Sequence, residues 1–260
     1  MRTILTVLAA ALSLCAVDDP VRREIIVDGV TREALVYTPV NAGTSDRPLV
    51  FVFHGHGGTM QHAANSFDYH RLWPEAIVVY PQGLNTPGKL TDPQGKKSGW
   101  QSGIGAMGDR DLKFFDAMYA LLKEKYRIDK KRVYATGHSN GGGFTYLLWA
   151  TRGDILAAVA PMAALLGSED ERRLLTPKPA FHCAGKKDPL VKYAWQEMMM
   201  QFVRDLNGCT EGKPGANDLI TIYPSAGDTP FITYIHNGGH EMPKDAIPFI
   251  VQFFKDNAKR

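Results

Sequence analysis

Past residue 20 the chain alternates between short apolar runs and longer stretches of helical period. Residues 23–27 and 33–38 alternate apolar with polar positions and are joined across Asp28-Gly29, a hairpin signal. Leu49-Val50-Phe51-Val52-Phe53 and Ala76-Ile77-Val78-Val79-Tyr80 are continuous apolar runs, as in strands buried on both faces. Residues 111–126 place Leu112, Phe115, Met118, Tyr119 and Leu122 on one stripe, which predicts a helix. A strand at 132–135 leads into a helical pattern at 144–150. Further strands are expected at 157–161, 179–184, 220–223 and 231–236, with helices at 193–206 and 247–256. This alternation predicts an α/β fold: a mostly parallel central sheet with helices on both faces. Residues 82–106 break the pattern. So long an irregular segment inside a compact domain is functional or disordered.

Composition narrows the class. The 260 residues carry a formal net charge of +3, and the basic residues lie in short scattered pairs and triplets. That argues against a nucleic-acid partner. Residues 1–16 have a positive start at Arg2 and an apolar core from Ile4 to Leu14, too short to span a bilayer. They are expected to be a secretory signal peptide ending at Ala16, with lipidation at Cys15 the lesser alternative because Leu14 is bulky for that processing. Residues 17–260 are then expected to form a single catalytic domain with no membrane span. Cys183 and Cys209 could pair after export, though nothing in the sequence sets their distance. No cofactor is expected, and no ligand spacing suggests a metal. A site from His54, His56 and His62 would lack any carboxylate or thiolate.

The chemistry concentrates at Gly137-His138-Ser139-Asn140-Gly141, a G-x-S-x-G pentapeptide between a strand and a helix. That is the setting of a nucleophile elbow, a turn so tight that glycines must flank an exposed serine. The duller reading is a glycine-rich helix start with Ser139 as its cap, but three consecutive glycines exceed what a cap needs. A serine hydroxyl needs a histidine to take its proton and an acid to orient that histidine. Asp188 and His240 each follow a strand, in the order such folds require. Glu169, Asp170 and Asp228 are other acids within reach of the chain; Asp188 is preferred for its strand-end position. His182 and His236 lie within strands and are expected to be buried or paired across strands. His54-Gly55-His56-Gly57-Gly58 follows the third strand, where half of an oxyanion hole is built; the N–H of Asn140 would supply the other half. Trp100 is the tryptophan of the irregular segment. Exposed, it would be a substrate-binding candidate; tucked over the sheet, it would touch no ligand.

Together, His54-Gly55-x-Gly57-Gly58, Gly99-Trp100, the helix from Asp109, the run Arg132 to Gly142, the Asp188 loop and Gly238-Gly239-His240 resemble the polyhydroxybutyrate-depolymerase-like esterases. That group includes feruloyl esterases and acetylxylan esterases of carbohydrate esterase family 1. The likeness runs over about residues 23–256. It implies the α/β-hydrolase fold, a triad of Ser139, Asp188 and His240, and an oxyanion hole from the backbones of His56 and Asn140. It also implies a small-ester or polysaccharide-ester substrate. Two positions depart from the group: Met242-Pro243 stands where Trp-Pro is common, and His56 where a cysteine or small residue is common. Both should lie near substrate, so specificity is expected to differ. Polyhydroxyalkanoate or short-chain ester hydrolysis, and a catalytically silent binding relative, remain the alternatives.

Overall fold

The computed structural model describes residues 19–40 and 42–260; the expected signal peptide lies outside them. In chain order the first half holds β1 (Val21–Val27), β2 (Val30–Tyr37), β3 (Arg47–Phe53), α1 (Met60–Phe67), α2 (Tyr69–Leu72), β4 (Ile77–Pro81), β5 (Leu84–Asn85), β6 (Ser98–Gly99), α3 (Arg110–Lys125) and β7 (Ile128–His138). Then come α4 (Asn140–Arg152), β8 (Ala158–Met162), α5 (Glu169–Arg172), β9 (Ala180–Gly185), α6 (Tyr193–Leu206), β10 (Lys213–Pro214), β11 (Ile220–Tyr223), β12 (Phe231–His236) and α7 (Ile247–Asp256).

Ten strands form one sheet in the order β1-β2-β4-β3-β7-β8-β9-β12-β11-β10, and β5 with β6 makes a small separate hairpin. Strands β4, β3, β7, β8, β9 and β12 run parallel to one another, and the antiparallel strands sit at the two edges. The β1–β2 turn places Asp28 and Gly29 at φ 50° and 79°, the left-handed pair that a two-residue hairpin needs.

Period-two alternation explains the continuous apolar strands. In β3, Leu49, Phe51 and Phe53 face the core layer packed by α3, α4 and α6. Val50 and Val52 face the opposite layer, which α1, α2 and α7 cover. A strand covered on both sides has no solvent-facing position, so a polar residue there must find an internal partner, as Thr136 of β7 does at the Ala160 carbonyl. Helix α1 was not apparent in the sequence because only Ala63, Ala64 and Phe67 anchor it. Its one local signal is Thr59, whose hydroxyl accepts from the N–H of His62 at 3.1 Å. Cys183 is buried in the layer of α1, α2 and α7, whereas Cys209 packs against the other layer. Both are free thiols on opposite faces of the sheet.

Candidate active site

The parallel strands deliver their carboxyl ends to one edge of the sheet, and every site residue follows one of them. Ser139 leaves β7, Asp188 follows β9, His240 follows β12, and the His54–Gly58 loop follows β3. Ser139 sits at φ 57°, ψ −120°, a conformation a side-chain-bearing residue adopts only under constraint, at about 1–3 kcal/mol. The constraint is visible around it. The Ser139 N–H donates to the Met162 carbonyl at 2.8 Å, and its own carbonyl accepts from Gly143 at 2.9 Å. A Cβ on Gly137 would lie 2.5 Å from the Gly141 carbonyl oxygen, and one on Gly141 would lie 2.5 Å from that of His54. The turn closes only because both lack one.

Ser139 Oγ is 2.7 Å from His240 Nε2, and His240 Nδ1 is 2.7 Å from Asp188 Oδ2. The carboxylate is itself held: Oδ1 accepts from the N–H groups of Leu190 and Val191, each at 2.9 Å. Its side chain is wholly buried, so its charge rests on these donors. His138 packs beside His240, ring centres 5.0 Å apart, and burial pushes its imidazole down to about 4. It is therefore neutral near pH 7 and places no second positive charge beside His240. The other acids lie elsewhere. Asp170 is exposed and pairs with Arg173, and Asp228 pairs with Arg260.

The loop after β3 lies against the elbow, where a Cβ on Gly55 would meet Ser139 Cβ at 3.5 Å, and a brace that the sequence did not announce holds it there. Residues 82–106 fold over the His54–Gly58 loop and tie it down. Gly57 N–H donates to the Ser98 carbonyl at 2.7 Å, and Ser98 Oγ to that of Gly58 at 2.5 Å. His56 Nε2 bonds Asp92 Oδ2 at 3.1 Å, which also accepts from Lys97 N–H at 2.8 Å. His54 donates from Nδ1 to the Gly55 carbonyl at 2.7 Å and accepts at Nε2 from Gly83 N–H at 3.0 Å. Burial pushes this imidazole down to about 4, consistent with the neutral ring those bonds require. With both nitrogens occupied, His54 has none to offer a metal. Among the described residues no group of three or more His, Cys, Asp or Glu is placed to hold one.

Trp100 requires a correction. It is 0% exposed, so it offers no face to a substrate. Its indole N–H donates to the His54 carbonyl at 2.9 Å, and its ring stacks on Phe144 and meets Phe53 edge-on. Its backbone N–H and carbonyl grip both ends of the Asn140 amide, at 2.6 and 3.0 Å. Trp100 thus joins the two loops whose N–H groups, from His56 and Asn140, were expected to face the reacting oxygen. A cleft of about 580 Å³ is lined in part by His56, His62, His138, Phe67, Met242 and Lys244. Its lining includes His138, which precedes the serine, and Met242, two residues past His240, but neither Ser139 nor His240. Sequence reasoning missed Gln196, whose side-chain amide donates to Asp188 Oδ2 at 3.2 Å. A glutamine inside an amphipathic helix carries no signal of that role.

No family model matches the chain. A bifunctional acetylxylan esterase/xylanase of Neocallimastix patriciarum is 29% identical over 201 residues, spanning 76% of this chain and 27% of that protein. Feruloyl esterase D of Neurospora crassa is 26% identical over 255 residues, spanning 85% and 78%. The chain thus covers about a quarter of the length of the bifunctional relative and most of the other. Among solved structures, an acetyl xylan esterase from Aspergillus awamori superposes with a TM-score of 0.64 at 16% identity, over 85% of this chain and 94% of that one. A ferulic acid esterase does so with 0.62 at 16% identity, over 90% and 98%. At such identity the structural likeness is one of fold.

Proposed function

We propose that this chain, a carboxylic-ester hydrolase with the α/β-hydrolase fold, is a serine esterase acting on acetyl or hydroxycinnamoyl esters of plant cell-wall polysaccharides. The catalytic unit is residues 17–260, exported by the signal at 1–16. One observation carries the mechanism: the unbroken run of hydrogen bonds from Ser139 Oγ through His240 to Asp188, 2.7 Å at each step. His240 Nε2 takes the serine proton as Oγ attacks the ester carbonyl. The N–H groups of Asn140 and His56 then hold the oxyanion, each such donor lowering the barrier by about 3 kcal/mol. His240 returns the proton to the leaving alcohol. Water, activated by the same imidazole, releases the acid from the acyl-enzyme. Asp188 holds the ring in the Nδ1–H tautomer throughout.

Within this reading an ester with a small acyl group is the expected substrate, because the tryptophan that could have stacked on a larger aromatic one is buried. With Trp100 buried, the described lining of the cleft offers imidazoles, Met242, Lys244 and Phe67, of which the phenyl is 4% exposed. Neither Trp100 nor any other tryptophan or tyrosine is among that lining to stack on a hydroxycinnamoyl ring. The test compares hydrolysis of acetylated xylan, methyl ferulate, polyhydroxybutyrate and p-nitrophenyl acetate by the wild type and Ser139→Ala. Acetyl esters should be cleaved fastest, and Ser139→Ala should lose activity by about a millionfold. A folded Ser139→Ala variant with full activity would discard the serine mechanism.

A further inference from the structure

Behind the acid lies a second run of hydrogen bonds that the triad does not need for its own closure. Gln196, on α6, donates from Nε2 to Asp188 Oδ2 at 3.2 Å and to the Val191 carbonyl at 2.7 Å. Its Oε1 lies 3.2 Å from Nε2 of His182 on β9, whose Nδ1 lies 2.8 Å from the hydroxyl of Tyr146 on α4. Gln196, His182 and Tyr146 are each 0% exposed. The amide oxygen is acceptor only, so His182 must donate from Nε2. Nδ1 is then an acceptor, and Tyr146 must be its donor. Every proton in the series has one assignment. Burial pushes the His182 imidazole down to about 4, in keeping with a neutral ring.

We propose that Tyr146, His182 and Gln196 form a positioning relay that keeps the amino end of the Gln196 side chain turned toward Asp188. A glutamine amide can be reversed end for end with little change in shape. Reversed, it would point its oxygen at the carboxylate and repel it. His182 forbids that reversal by offering a donor on the other side, and Tyr146 fixes which nitrogen of His182 carries the proton. The relay thereby sets the plane of Asp188 and shares part of its charge. Without the Gln196 donor the carboxylate would be freer to rock, and it would attract the His240 imidazolium more strongly. The other titratable or charged groups about His240 and Asp188 are His138, His236, Glu241, Lys186 and Lys187, and the variants below leave all of them in place.

The inference rests on the serine-esterase reading, and the experiment keeps the two apart. Active sites are first counted with a fluorophosphonate that labels Ser139, and rates are expressed per labelled site. Gln196→Met should then lower kcat by about tenfold or more with KM within about twofold. The acid limb of its kcat/KM profile should move up by about half a pH unit. Gln196→Leu, which also lacks the donor to Asp188, should show the same fall. His182→Leu should shift both readouts in the same direction. His182→Gln, which restores a donor at the Nε2 position, should return both toward wild type. A structural role alone would lower the labelled fraction or the melting temperature and leave kcat per site and the pH profile unmoved. Unchanged kcat and acid limb in Gln196→Met and Gln196→Leu, with Ser139→Ala inactive, would overturn the relay and leave the esterase reading standing. An active Ser139→Ala would overturn both.

Discussion

Four acids were open to the sequence reading, and their surroundings separate them. Asp188 is buried and faces His240, whereas the side chain of Asp170 is 94% exposed and that of Asp228 is 54% exposed, each on an arginine. Only a fixed, unsolvated carboxylate can hold the imidazole in one tautomer. Asp188→Asn should therefore lower turnover by about ten-thousandfold, while Asp170→Asn and Asp228→Asn leave it within about twofold. Equal losses in all three would show that burial and contact are the wrong criteria. The same logic separates the histidines. His240 reaches Ser139 and Asp188, while His54 spends both nitrogens on backbone groups.

At the scale of elements, the site depends on two loops held at fixed separation by a third. The elbow between β7 and α4 is closed by absent side chains, and Gly141→Ala would drive a methyl group against the carbonyls of Phe53 and His54. Little folded protein should be recovered from that variant, as judged by near-ultraviolet circular dichroism. The brace at 82–106 gives a subtler test through Trp100. Trp100→Ala leaves a large cavity beside Phe53 and Phe144 and should cost about 3–5 kcal/mol in denaturant unfolding. Because the indole has no exposed face, the ratio of kcat/KM for methyl ferulate to that for p-nitrophenyl acetate should stay within about twofold. A several-fold fall in that ratio at unchanged stability would return Trp100 to the substrate pocket.

At the scale of the whole molecule, three buried imidazoles, His54, His138 and His182, are each pushed down from 6.5 to about 4, and burial lowers a fourth, His70. Above pH 6.5 both folded and unfolded chains leave them uncharged, and their contribution is complete. Between 6.5 and 4 the unfolded chain binds protons that the folded one refuses, so stability falls with pH, by on the order of a few kcal/mol per histidine. Melting temperature measured from pH 7.5 to 4.5 should drop steeply. His182→Gln removes one of the three and should drop less over the same range. A wild type and a His182→Gln variant with superimposable pH dependence would contradict this assignment.

The sequence by itself determined the α/β layering and the elements that pattern most strongly. The helices at 193–206 and 247–256 and the strands at 220–223 and 231–236 lie where their periodicity put them, since burial on one face or two leaves its mark on every residue of such an element. It also singled out Ser139, Asp188 and His240, because an elbow demands a local glycine pattern and the partners are each announced by a strand ending. Helix α1, anchored by two alanines and one phenylalanine, left too faint a pattern to read. Tertiary structure alone decided what residues 82–106 do. Their contacts reach Gly57, His54 and Asn140, far away in the chain, and no local periodicity records a partner some forty residues off. It alone placed Trp100 in the core and Gln196 against Asp188. A buried polar side chain is chosen for the groups that meet it in space, and the sequence around it registers only the helix it sits on.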